Sequence, residues 1–176
     1  MCGILGIILA EDASPAEGLA GIAVDGLMDL QHRGTESSGL VGTDGVHRNQ
    51  FDIVKGSGLV REIYNAENLS KFKDSIAMLG HNRYSTAGMK DAINCVQPFV
   101  VYTSVGLVAI AHNGELVNTN EKRSEILQSG VGLSTDTDSE LIAQIIAKST
   151  ANQMQHRDNE SNYGDISKVQ QLKCVH

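Results

Sequence analysis

The chain has 176 residues, 41% of them hydrophobic and 20% charged, which suits one soluble globular domain and excludes a disordered or membrane-like composition. Its formal charge of -7 and lack of clustered Lys and Arg argue against a nucleic-acid partner, because a phosphate-binding surface needs concentrated positive charge. Cysteines at 2, 95 and 174 are odd in number and lack the paired spacing of a zinc site or a disulfide framework, so a reducing, cytoplasmic setting with no metal is expected. No basic residue precedes the apolar run at the start and no apolar stretch approaches the roughly 20 residues that cross a bilayer, so neither a signal peptide nor a membrane span is predicted.

In chain order, residues 2–9 read as a buried strand beginning at the chain terminus. Leu19, Ile22, Val24, Leu27, Met28 and Leu30 then recur at helical spacing over 16–30, and Gly34 stops the segment. Short apolar segments at 38–43, 51–54, 76–80, 98–103 and 106–111, separated by Gly, Asn and Asp, predict strands. Helices follow over 118–128 and 136–148, the second with Leu141, Ile142, Ile145 and Ile146 on one face and Thr135 or Asp136 as its cap. Beyond Ser149 the composition turns polar, so 2–150 is expected to form the domain and 151–176 a divergent tail with a weak helix at best. The order of elements predicts an α+β layered fold.

Four clusters carry chemistry. Cys2 follows Met1, and removal of Met1 leaves a thiol beside a free α-amino group of pKa ~7.7–8, so that one residue holds nucleophile and base. A terminal cysteine is also often inert, and Gly3 beside it serves either substrate access or plain packing. His112, Asn113, Gly114 and Glu115 follow the clearest apolar strand. An Asn amide and the next backbone N–H can aim two donors at one oxygen, although Asn-Gly is commonly just a turn. In HNRYSTAG at 81–88, Arg83 can grip a carboxylate with Thr86 adding a hydroxyl, or be a surface arginine. STDTDSE at 134–140 puts Asp136, Asp138 and Glu140 at a helix start, where carboxylates either cap the dipole or, at Asp138, meet an ammonium. A thiol, an oxyanion hole, a cation for a carboxylate and an anion for an amine describe a site for an α-amino acid with a side-chain carbonyl, glutamine or asparagine.

MCGILGI, LQHRG with ESSG, GHNRYSTAG, QPFVV, AHNGELVN and STDTDSE stand in an order and spacing that resembles the class II glutamine amidotransferases of the N-terminal nucleophile hydrolase type. Within the class the wording is most similar to the amidophosphoribosyltransferases. The resemblance implies a four-layer αββα sandwich, incomplete at the C-terminus. It implies catalytic Cys2, with Asn113 and the Gly114 N–H as the oxyanion hole, and Arg83, Thr86 and Asp138 binding glutamine. Arg33 would support the loop by the nucleophile. A thioester on Cys2 would release ammonia, which in full-length relatives displaces pyrophosphate from phosphoribosyl pyrophosphate in purine synthesis. Those relatives are homo-oligomeric, use Mg with phosphoribosyl pyrophosphate and in some cases hold an iron-sulfur cluster; no cofactor is expected in this chain, because the second domain is absent from it. Thr35 stands where the family usually has Gln, and Met1 stands alone where animal relatives carry a short propeptide. The other readings are an inactive fragment that modulates a partner, and the glutaminase half of another amidotransferase.

Overall fold

The structure, a computed structural model, describes residues 2–10, 13, 18–84 and 93–161, with side chains through residue 154. Its elements are β1 (Gly3–Ile8), α1 (Leu19–Asp29), β2 (Ser37–Thr43), β3 (Asp52–Ser57), α2 (Val60–Ile63), α3 (Ala66–Leu69), β4 (Ala77–Arg83), β5 (Phe99–Thr103), β6 (Gly106–Ile110), α4 (Thr119–Gln128) and α5 (Asp138–Ser161). All six expected strands form. The two four-residue helices were not expected, because one helical turn has no period to read. α3 is held by local chemistry instead, with Asn65 and Asn68 each accepting the other's backbone N–H.

Four strands form an antiparallel sheet in the order β1-β4-β2-β3, and β5 with β6 forms a second, two-stranded antiparallel sheet. Side chains alternate across a strand, so each strand of the first sheet serves two layers. On one face, Leu40 of β2, Val54 of β3 and Met78 of β4 pack with Leu19, Ala23 and Leu27 of α1 and with Val60, Tyr64 and Phe72. Leu27, Leu40 and Phe72 are fully buried, and each such side chain stabilises by roughly 1.5–3 kcal/mol. The Asn82 side chain donates to the Leu27 carbonyl at 2.6 Å, which ties the last turn of α1 to β4.

On the opposite face lies the second sheet. Val41 and Leu79 of the first sheet and Leu107, Val108 and Ala109 of β6 line a groove between them. Contact is tightest at Gly39, where a Cβ would stand 2.1 Å from the Gln97 carbonyl oxygen, so only glycine lets the start of β5 approach β2 this closely. α5 covers β5 and β6, and α4 packs on α5, giving the helix-sheet-sheet-helix order that was expected.

Two boundaries differ from expectation. α5 does not end near Lys148 but continues through Ser161, so the polar composition after Ser149 does not stop the helix: polar residues such as Asn and Gln cost a helix only tenths of a kcal/mol each, about 0.7 at most. Its cap is Thr137, whose hydroxyl accepts from the Glu140 N–H at 3.4 Å, rather than Thr135 or Asp136. Thr135 acts one step earlier, accepting from the Thr137 N–H at 3.2 Å. Residues 162–176, with Cys174, lie outside the described residues.

His81 of β4 is fully buried and sits in register with Ile4 and Gly39. Burial is the main cause that lowers its pKa to about 4; the Arg83 and His112 charges add to it, and the His112 backbone opposes it. His81 is therefore neutral when folded and protonates more readily when unfolded. The stability from keeping it neutral is complete above pH 6.5 and is lost as the pH falls from there towards 4, a change of about 3 kcal/mol. Denaturant melts across that window should show this fall in the parent chain and a shallower one in His81→Asn. Equal slopes in the two proteins would refute it.

Candidate active site

The cleft opens where the start of β1, the ends of β4 and β6 and the start of α5 converge, and it encloses about 1060 Å³. Cys2, Arg83, Asn113, Gly114 and Asp138, from four separate stretches of sequence, all line it. Their convergence follows from topology: β1 pairs antiparallel with β4, with Gly3 opposite Asn82, so Cys2 lies beside the Arg83 end of that strand.

Cys2 is held from three sides. Its backbone N–H donates to Asn113 Oδ1 at 3.2 Å, its carbonyl accepts from Arg33 Nε at 3.2 Å, and its Sγ lies 4.0 Å from the Tyr84 carbonyl. Because Asn113 is oriented through Oδ1, its Nδ2 remains a donor without an acceptor among the described residues, as does the Gly114 N–H. A Cβ at Gly114 would come within 2.9 Å of His112 Nε2, so the loop closes tightly at this point. Arg33 is positioned by its own segment: in the 3-10 turn Leu30–Arg33, Gln31 donates to the Gly34 carbonyl at 2.7 Å and accepts from the Val60 N–H at 2.8 Å.

Arg83 lines the cleft with its side chain mostly buried, and Nη1 is 3.1 Å from Glu36 Oε1. One edge of the guanidinium is thus engaged by Glu36, which belongs to the ESSG motif but was not expected as a site residue. Thr86 lies outside the described residues. Asp138 faces the cleft, but its Oδ2 also accepts from the Leu116 N–H at 2.9 Å, so it braces the segment after Gly114. The loop before it is clamped twice. Arg123 of α4 donates to the carbonyls of Thr135, Asp136 and Thr137, while Glu140 accepts from the Ser134 and Thr135 N–H groups and the Thr135 hydroxyl. Burial works to raise the Glu140 pKa, but these hydrogen bonds outweigh it and hold the carboxyl below its usual range.

Gln97, His112 and Ser139 also line the cleft and were not expected as site residues. Gln97 had one faint signal, a polar residue inside the run NCVQPFVV. Cys95 lines the cleft as well, but it is 3% exposed, and burial raises its thiol pKa, so it is a poor nucleophile beside Cys2. Among the described residues no group of three or more His, Cys, Asp or Glu is arranged to hold a metal ion. The donors of a magnesium or iron-sulfur site are not assembled there, and no chemical step is assigned to either. Among the described residues no helix is long and apolar enough to cross a membrane.

A thiol at the start of an edge strand of one of two facing antiparallel sheets, beside two uncommitted N–H donors, fits an N-terminal nucleophile hydrolase fold. A family described as a glutamine amidotransferase domain matches residues 65–159, and the chain belongs to that family. Among characterised proteins it is similar to the amidophosphoribosyltransferase of Mus musculus, 45% identical over 146 residues, and to that of Methanocaldococcus jannaschii, 43% identical over 148 residues. These alignments cover 83% and 84% of this chain but only 28% and 30% of the relatives. Of solved structures, it resembles glutamine phosphoribosylpyrophosphate amidotransferase from B. subtilis complexed with ADP and GMP, with a TM-score of 0.66 and 35% identity over 81% of this chain and 28% of that one. A second, described as the allosteric regulatory enzyme of purine biosynthesis, gives 0.68 and 36% over 81% of this chain and 29% of that one. The chain thus spans less than a third of the length of these relatives.

Proposed function

We propose that this chain hydrolyses glutamine to glutamate and ammonia through a thioester on Cys2, as the glutaminase part of an amidophosphoribosyltransferase. The observation that carries the reading is the Cys2 N–H to Asn113 Oδ1 contact of 3.2 Å, which leaves Asn113 Nδ2 and the Gly114 N–H as donors beside the thiol.

With Met1 removed, the Cys2 α-amine, partly unprotonated near neutral pH, takes the thiol proton directly or through one water. The thiolate attacks the glutamine side-chain carbonyl carbon, and the displaced π electrons form an oxyanion that accepts from Asn113 Nδ2 and the Gly114 N–H. The ammonium of Cys2 returns its proton to the departing nitrogen, so ammonia leaves and a thioester remains. Water, deprotonated by the same amine, adds to the thioester. Collapse expels the Cys2 thiolate, which regains the proton, and glutamate departs.

Arg83, with Thr86, binds the substrate α-carboxylate, and Asp138 binds its α-ammonium. Arg33 holds the Cys2 carbonyl, fixing the backbone that carries the thiol. The ammonia is destined for phosphoribosyl pyrophosphate at a second domain of a longer, homo-oligomeric protein, in purine biosynthesis in the cytoplasm. Any magnesium or iron-sulfur cluster belongs to that longer protein.

Asn113→Ala tests the oxyanion hole. It should lower kcat for glutamine hydrolysis by about 10²–10³-fold with a much smaller change in KM, the cost of one such donor. Intact mass after incubation with the electrophilic glutamine analogue 6-diazo-5-oxo-norleucine should show one adduct on Cys2 of the Met1-free parent chain, blocked by excess glutamine. A folded, Met1-free chain that takes no adduct would remove the reading.

A further inference from the structure

We propose that Gln97 is a positioning residue that holds the Asn113 and Gly114 donors in register with Cys2. The inference rests on the glutaminase reading and adds a residue that acts on the reaction without touching substrate.

Gln97 is 7% exposed, and its side-chain amide is used at both ends. Oε1 accepts from the His112 backbone N–H at 2.6 Å, and Nε2 donates to Ser139 Oγ at 3.0 Å. One side chain therefore joins the strand end that carries Asn113 and Gly114 to the first turn of α5, which carries Asp138. The link is reinforced from the far side, since Ser139 Oγ lies 3.2 Å from His112 Nδ1 and 3.4 Å from Asp138 Oδ1, and Asp138 Oδ2 accepts from the Leu116 N–H. Residues 112 and 116 are thus pinned on both sides of the two donors.

Gln97 can serve as an anchor because its own backbone packs closely on the first sheet. Its carbonyl is wedged against Gly39 of β2, in the same sheet whose β1 edge carries Cys2. The path from thiol to oxyanion donors thus runs through β1, β4, β2, Gln97 and His112, in short contacts between regular elements. An error of about 1 Å in such a constellation can cost on the order of 10²-fold in rate. The charges nearby support an amide at this position. A carboxylate buried here would face Asp138 across Ser139, whereas an amide is neutral and carries the required acceptor and donor together.

The test uses the full 176-residue chain and its variants Gln97→Leu and Gln97→Glu. Gln97→Leu keeps the volume but loses both bonds, so kcat for glutamine hydrolysis should fall about 10- to 100-fold with KM within about threefold. Alkylation of Cys2 by iodoacetamide, which needs no oxyanion hole, should proceed at the parent rate. Exchange of the His112 amide proton, followed by NMR, should accelerate by at least about tenfold, because its buried acceptor is gone. In Gln97→Glu the introduced carboxyl, while protonated, reproduces both an acceptor and a donor. Turnover relative to the parent chain at the same pH should therefore recover at low pH and decline as the pH rises through that group's titration, a profile that a space-filling role does not produce.

Parent-like turnover in Gln97→Leu, or unchanged His112 exchange, overturns the proposal. So does an equal loss in both variants with no pH dependence, which makes Gln97 a packing residue. Should the parent chain itself fail to hydrolyse glutamine, the glutaminase reading fails separately, and His112 exchange still decides whether Gln97 positions the loop.

Discussion

Cys2→Ala is expected to abolish glutamine hydrolysis, a loss on the order of 10⁴-fold or more, while leaving the melting temperature near that of the parent chain. The size of the effect follows from the proposed chemistry, in which the thioester forms on Cys2 and no other exposed thiol lines the cleft among the described residues. Cys95 shares the cleft, but its burial raises the thiol pKa and removes it from attack. The small effect on folding follows from structure, since Cys2 is only half-buried and both of its short hydrogen bonds use backbone atoms that alanine keeps. Glutamine binding, read by calorimetry on the inactive variant, should persist at near-parent affinity because Arg83 and Asp138 are untouched. Residual turnover within about tenfold of the parent would place the nucleophile elsewhere. A label from the diazo analogue that moved to Cys95 would say the same.

Gly39→Ala is the structural counterpart, and its expected effect is large for a single added methyl. The new Cβ would meet the Gln97 carbonyl oxygen at 2.1 Å and its carbon at 3.0 Å, and both are backbone atoms that cannot rotate aside. Either β2 or the start of β5 must shift. Overpacking of this kind costs about 1–3 kcal/mol, and contact this close belongs at the upper end. For a chain of this length the cost corresponds to a fall in melting temperature of roughly 6–12 °C. Turnover should fall as well, because the displaced Gln97 takes His112 with it. Gly6→Ala, with nothing within 4 Å of the added Cβ, is the matched control and should melt near the parent temperature. Equal melting of the two variants would mean that the sheets separate freely at Gly39, and the anchoring argument for Gln97 would lose its foundation.

Much of this architecture was legible because it is written locally. The apolar run after Cys2, the helical spacing from Leu19 to Leu30 and the strand ending at His112 each carry a period that short stretches of chain reveal. The α2 and α3 turns were not legible, since four residues hold no period, and the end of α5 was missed because composition alone does not terminate a helix. The same divide runs through the cleft. Cys2, Arg83, Asn113, Gly114 and Asp138 could be singled out because each sits in a motif whose residue types suit one chemical task, and Arg33 through the resemblance alone.

What these residues do to one another was decided only in three dimensions. Glu36 reaches Arg83 across 47 positions, Gln97 reaches Ser139 across 42, and Cys2 meets Asn113 across 111. Separations of that size leave no local trace in sequence, because the bonds come from strand pairing and sheet packing rather than from neighbouring residues. His81 shows the same reason from the side of energetics. Its place in a strand was readable, but its neutrality comes from a second sheet that buries it. The amino-acid sequence by itself determined the order of the strands and longer helices, the candidate nucleophile, the candidate oxyanion donors and the resemblance to glutamine amidotransferases. The tertiary structure decided which side chains hold those groups in place, since burial, pairing and close approach belong to the packed sheets and not to any one segment.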